Sequence, residues 1–360
     1  MSAGQGAQLA VLTLTLGLAV TVLVAGRTAR RRRRTMVGVR SARDRPAEPR
    51  VAVVVNRSKV DDADARRRQV DAALAAYGWP PALWLDTTPT DPGSGQGRTA
   101  LAAGCDVVLV LGGDGTARLV AEPLLGTGVP LGLLPAGTGN LLARNLRVPP
   151  NSLEAALAVA VGGHRRTIDV GQAEIDVSGE DHTPTRHTFL VMAGLGFDAE
   201  VMGSVTPALK ERVGWLAYVL VGMRNLRGRR TRVGIRLDDG EQITLRVRSV
   251  IVGNCGELTG GVQLLPDARV DDGWLDVVAV SPRNVVGWAA VTASVISRRS
   301  GRGTWGQPVV QHFRCRSVQV RAERPMPVQL DGDTAGSVRV LRAEVRPAAL
   351  VVMTPDGSRP

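Results

Sequence analysis

The sequence predicts an α/β N-terminal domain, an antiparallel β-sandwich C-terminal domain and one transmembrane helix ahead of both. Three observations predict this. Between residues 50 and 165, short unbroken apolar runs alternate with stretches of helical spacing, the texture of parallel strands covered by helices. Between 166 and 345 the apolar segments become short and alternating, as in sheets that bury one face. Residues 1–26 carry no charged side chain, and arginines follow at once.

The uncharged run from Leu9 to Gly26 is 18 residues long. As a helix it would measure about 27 Å, close to the hydrocarbon thickness of a bilayer. Its positive charge follows rather than precedes it, unlike a cleaved leader. The positive-inside rule then places the N-terminus outside and everything after Arg27 in the cytoplasm. The expected localisation is therefore the cell membrane, single-pass, with 1–26 as anchor, 27–49 as basic linker and a cytoplasmic body. A net charge of +12 raises nucleic acid as a partner, but Arg27 to Arg50 holds ten arginines against only Asp44 and Glu48. The excess thus sits beside the membrane segment, where an arginine tail binds anionic lipid, and nucleic acid is not an expected partner.

Cys105, Cys255 and Cys315 lack the paired spacing of a zinc site and read as buried thiols. Lys59 and Lys210 are the lysines of the chain, and neither follows a glycine, so a Walker-type phosphate loop is absent.

The body begins at Arg50. Val51 to Val55 is a buried-strand run, followed by Val70, Ala73, Leu74 and Tyr77 at helical spacing. Ala82 to Leu85, Asp106 to Leu111 and Leu131 to Leu134 continue the strand series of a domain at 50–165. Asn151 with Glu154 can cap a helix to about Val161, ended by Gly162-Gly163. Beyond it, Ile168 to Ile175, Thr188 to Met192, Thr231 to Leu237, Ile243 to Val252 and Leu275 to Val280 are the sandwich strands of a domain at 166–345. A helix is expected over Trp215 to Leu226, and a packed helix over Val285 to Ser297. Residues 346–360 are expected to return as a strand to the first domain and end in a tail.

Two glycine turns follow two of the predicted parallel strands. Gly112-Gly113-Asp114-Gly115-Thr116 opens a helix, so its N–H groups and the helix dipole suit an anion. Asp114 itself repels phosphate, and makes chemical sense there if it handles Mg²⁺ or orients a phosphate through a metal. The structural alternative is a turn-forming aspartate. Pro135-Ala-Gly-Thr-Gly-Asn140 is the second turn, and two such loops on neighbouring strands face one crevice in open α/β sheets. Later in the chain, Asp331 and Asp333 flank a glycine, as a proton acceptor for an alcohol and a Mg²⁺ partner would, and equally as a β-turn would. Asp271-Asp272-Gly273 likewise reads as a metal site or a hairpin turn.

Together with Val55-Asn56, Gly194-Leu-Gly-Phe-Asp-Ala199 and Asp267-Ala-Arg-Val-Asp-Asp-Gly-Trp-Leu-Asp276, these blocks resemble the diacylglycerol kinase catalytic-domain family, with its bacterial lipid kinases and sphingosine kinases. The resemblance covers about Arg50 to Pro355. It implies ATP and Mg²⁺ as cofactors and a lipid with a free hydroxyl as acceptor. Asn56, Thr88, Gly112, Gly113, Asp114, Gly115, Thr116, Arg118, Gly137, Thr138, Gly139 and Asn140 would hold the nucleotide. Asp272, with the carbonyls of Arg269 and Trp274, would match a structural Mg²⁺ site. Asp331, Asp333 and Asp114 would be the catalytic carboxylates, and Asp114→Ala should then abolish turnover at a nearly unchanged thermal midpoint.

Three departures from the family pattern stand out: Asn56-Arg-Ser-Lys59, Leu141 where aspartate is frequent, and Asp333 where glutamate is frequent. They motivate a catalytically silent lipid-binding module as one alternative. An NAD-kinase-like enzyme acting on a soluble nucleotide is the other.

Overall fold

The computed structural model describes residues 49–176, 184–196, 230–282 and 310–355. The expected anchor at 1–26, the arginine run, the helices at 215–226 and 285–297, and Phe197 to Ala199 lie outside the described residues.

The first half alternates strand and helix: β1 (Val51–Val55), α1 (Ala63–Ala76), β2 (Leu83–Asp86), α2 (Ser94–Ala102), β3 (Val107–Gly112), α3 (Asp114–Ala121), β4 (Leu131–Pro135), α4 (Leu141–Asn145) and α5 (Leu153–Gly162). β2, β1, β3 and β4 pair in that order, all parallel. β1 and β3 are buried along their whole length, which is why they read as continuous apolar runs rather than alternating ones. Val70 and Leu74 of α1, Val120 of α3 and Leu157 of α5 complete this core, whereas Tyr77 is 51% exposed. The cap of α5 is Ser152, whose hydroxyl accepts from the Ala155 N–H at 3.2 Å, one residue later than Asn151 with Glu154 suggested.

The rest is strand-rich: β5 (His164–Asp176), β6 (Thr185–Phe189), β7 (Met192–Leu195), β8 (Thr231–Leu237), β9 (Ile243–Val247), β10 (Ser249–Gly253), β11 (Glu257–Leu258), β12 (Val262–Gln263), β13 (Leu275–Val280), β14 (Val310–Cys315), β15 (Ser317–Leu330) and β16 (Asp333–Thr354). β15 changes partner along its length, pairing with β8 through Val318–Ala322 and with β7 through Val328–Leu330. A second core, which includes Phe189, Leu195, Ile235, Val252, Val277 and Leu341, lies among these strands. β16 runs antiparallel to β15 and β5, then reaches β4 in parallel register at Val352↔Leu131. Fourteen of the described strands thereby form one hydrogen-bonded sheet, with the α/β region and the β-rich region joined through β16.

Two single runs of the sequence are pairs of strands in the structure. Thr188 to Met192 breaks between β6 and β7 at Leu190-Val191, and Ile243 to Val252 breaks at Arg248. The first break has a chemical cause in the site described below.

The single-pass assignment needs correction. Among the described residues no helix is long and apolar enough to cross a membrane.

Candidate active site

β3 and β4 lie side by side in parallel register, Gly112 opposite Pro135, and their glycine turns leave the sheet together. The Ala136 N–H donates to the Gly112 carbonyl at 2.9 Å. A Cβ on Gly137 would sit 2.7 Å from the Cα of Gly113, so the turns touch backbone to backbone and glycine is required there. α3 begins directly after Gly113 with no side-chain cap, leaving its first-turn N–H groups as an anion site. Asn56 joins from the end of β1, donating its amide to the Thr116 hydroxyl at 3.0 Å and accepting from Ser58. In the second turn Asn140 closes the loop on itself, accepting from the Gly137 N–H at 2.9 Å and donating to the Gly137 carbonyl at 2.7 Å. Gly139 accepts from Arg144 at 2.9 Å, and Thr138 stands exposed at the turn. Thr88 lies just past β2, its hydroxyl accepting from the Asp91 N–H in its own turn.

Asp114 is where the geometry differs most from the sequence reading. Its two carboxylate oxygens accept from the backbone N–H groups of Leu141 at 2.9 Å and Leu142 at 3.0 Å. The side chain of Asn140, the residue in the cap position of α4, is spent on Gly137, so Asp114 caps this short helix from the neighbouring loop. Burial pushes its carboxyl up, against the pull of the two N–H donors and Arg144. The carboxylate thus ties the second glycine turn to the first.

Asp331 and Gly332 form the two-residue turn between β15 and β16. Leu330 pairs with Asp333, and both turn residues have positive φ, 48° and 91°, as a type I′ hairpin requires. The side chain of Asp331 is fully buried. It accepts three backbone N–H groups: Leu190 at 2.8 Å, Val191 at 2.8 Å and Met192 at 2.9 Å. This is why the ladder breaks between β6 and β7: those N–H groups turn toward a carboxylate. Burial pushes Asp331 up to about 6, with the three donors and then Arg118 pulling the other way.

Asp333 differs in every respect. Its side chain is 58% exposed and takes one bond, from Nη2 of Arg118 at 3.0 Å. It lies over the first glycine turn, since a Cβ on Gly115 would meet its Oδ2 at 2.2 Å. The structure thus brings the turns at 112–116 and 135–140 together with Asp331, Asp333 and Arg118. It leaves Arg269, Asp272 and Trp274 elsewhere, around the start of β13.

The donor set at that second place does not fit the expected Mg²⁺ site. Asp272 accepts from the Trp274 N–H at 3.1 Å, and its other oxygen is paired with Arg314. The Arg314 guanidinium also lies over the Trp274 ring, 5.3 Å from its centroid. A cation already faces this carboxylate. Among the described residues no group of three or more His, Cys, Asp or Glu side chains is placed to hold a metal. Asp276, opposite Arg314 in the β13–β14 register, is buried with Oδ2 unpartnered, and burial pushes it up to about 6.

Sequence reasoning overlooked two supports. Asp169 accepts from the Gly273 N–H at 2.6 Å and the Ala348 N–H at 2.8 Å, while Asn254 donates to the carbonyls of Asp169 and Leu190. A polar residue inside a buried run, as Asp169 is in β5, is the signal that could have flagged the first. The bridge from Arg118 to Asp333 has no local signal at all.

Both regions of the chain resemble known proteins. Residues 50–173 match the diacylglycerol kinase catalytic domain, and residues 191–354 match the YegS C-terminal NAD kinase beta sandwich-like domain. A Pseudomonas aeruginosa protein named "Probable lipid kinase YegS-like" is 35% identical over 72% of this chain and 80% of its own length. A "Diacylglycerol kinase" of Staphylococcus carnosus is 27% identical over 68% of this chain and 75% of its own. The crystal structure of a diacylglycerol kinase from Bacillus anthracis superimposes with a TM-score of 0.64, covering 86% of this chain and 98% of that one; at 23% identity it attests the fold. With both halves matched and curated relatives above 30% identity, the chain is a kinase that belongs to the diacylglycerol kinase catalytic-domain family.

Proposed function

We propose that the chain transfers the γ-phosphoryl group of ATP to the hydroxyl of diacylglycerol or a related lipid alcohol. The observation that carries this reading is the position of Asp333, an exposed carboxylate resting on the glycine turn that opens α3. The N–H groups of Gly113 to Gly115 and the start of α3 bind nucleotide phosphates, and the second turn, held by Asp114, closes the other side of the crevice. ATP enters as its Mg²⁺ complex, as co-substrate. Asp333 accepts the proton of the lipid hydroxyl as its oxygen bonds to the γ-phosphorus and the bond to ADP breaks. Asp331 has no free oxygen for this role: three N–H donors hold it, and it fixes the turn that carries Asp333. The names of the relatives support a lipid as acceptor.

The test is a mixed-micelle assay with radiolabelled ATP and Mg²⁺, offering diacylglycerol, monoacylglycerol, sphingosine and ceramide, with NAD as the soluble control acceptor. The expected result is one labelled lipid, identified by mass. Label in NAD alone, or in none of the five, would refute the proposal.

A further inference from the structure

We propose that Arg118 is a positioning residue for the proton acceptor, holding the Asp333 carboxylate on the first glycine turn, rather than a ligand of the nucleotide. This rests on the lipid-kinase reading above and gives Arg118 its role in that site.

Arg118 projects from α3, the helix that begins in the glycine turn, and only 8% of its side chain is exposed. Its guanidinium faces two carboxylates of the β15–β16 turn: Nη2 donates to Asp333 at 3.0 Å, and Nε lies 4.0 Å from Asp331. Nε is buried and has no hydrogen-bond partner, so the group is oriented by these acids and the helix beneath it. A planar fork can face both at once, whereas an ammonium is a single point of charge.

What the contact secures is geometry more than stability. Asp333 is more than half exposed, and an ion pair to such a group adds little to stability. Left alone, its short side chain would sample several rotamers in solvent. Arg118 selects one, and Gly115, lacking a Cβ, leaves room for the carboxylate in that rotamer. The proton acceptor is therefore attached to the same helix whose start receives phosphate, and the two halves of the site, more than 200 residues apart in sequence, keep a fixed separation.

Arg118→Lys, Arg118→Gln, Asp333→Asn and the Arg118→Gln/Asp333→Asn pair test this in the same assay on the full chain. Arg118→Lys keeps the charge facing Asp331, so its thermal midpoint should stay within about 2 °C of wild type. Its kcat should fall about tenfold or more while the KM for ATP changes less than about threefold. Arg118→Gln should lose more, and adding Asp333→Asn to it should cost nothing beyond Asp333→Asn alone. Millimolar guanidinium should partly restore kcat to an Arg118→Ala variant. A KM for ATP raised about tenfold at unchanged kcat would make Arg118 a nucleotide ligand and overturn the proposal. So would multiplicative losses in the double variant, or an Arg118→Lys defect that only tracks its melting. A wild-type chain that labels no lipid removes the lipid-kinase reading first, and the proposal with it.

Discussion

Replacing Asp114 by asparagine separates a helix cap from a metal or nucleotide ligand. The carboxylate satisfies two N–H donors, Leu141 and Leu142, at 2.9 and 3.0 Å in a buried place. An amide of the same shape keeps one acceptor and turns an NH₂ group toward the other N–H. One bond to a charged acceptor is lost, worth about 1.5–3 kcal/mol, and a donor is left facing a donor. The net cost is therefore about 2–3 kcal/mol. For a compact unit spanning Pro49–Pro360, about 0.6 kcal/mol corresponds to one degree, so the midpoint should drop by about 3–5 °C. The KM for ATP should rise with it, because the second glycine turn is held through α4. Calorimetry and ATP titrations on the same preparation measure both. A variant that melts with wild type yet has lost turnover would refute the cap and restore a direct role on the nucleotide, the outcome the sequence alone suggested.

Gly137→Ala should raise the KM for ATP and cost about 1–3 kcal/mol, because its methyl would lie 2.7 Å from the Gly113 backbone, which cannot yield as a side chain would. Gly162→Ala, with nothing nearer than 3.9 Å, is the control and should melt at or above wild type. Asp333→Asn should lower kcat by about 100- to 10,000-fold with an unchanged midpoint, whereas Asp331→Asn, facing three N–H donors, should unfold far more easily; matching midpoints for the two would contradict their assigned roles. Asp276→Asn concerns pH. A carboxyl raised to about 6 adds stability that is complete below its unfolded value near 4 and lost as pH rises through 6. Removing that buried charge should therefore stabilise the chain at pH 7.5 by about 1–3 kcal/mol and flatten part of the decline between pH 4 and 6. Denaturant midpoints at pH 4.5 and 7.5 check this, and a variant weaker than wild type at pH 7.5 would show that Asp276 is a stabilising ion.

Much of the α/β region is legible in the chain because its signals are local. Val51 to Val55 and Val107 to Leu111 are apolar on both faces, and only a strand covered twice tolerates that. The β-rich region is less legible. Whether Thr188 to Met192 is one strand or two depends on a carboxylate about 140 residues later. β15 and β16, 14 and 22 residues long, also serve several partners that no run of residues announces.

By itself, the sequence determined the alternation of parallel strands and helices, both glycine turns and the family. These follow from backbone freedom, apolar period and short motifs, which act over a few neighbouring residues. Tertiary structure alone decided what each acid does. Asp114 caps a helix because Asn140 is already occupied, Asp331 holds three N–H groups, Asp272 faces Arg314, and Asp333 stays open to solvent beside Gly115. A carboxylate accepts an N–H, an arginine or a proton with the same two oxygens. Only the fold, by bringing one of these to it and keeping the others away, assigns the task.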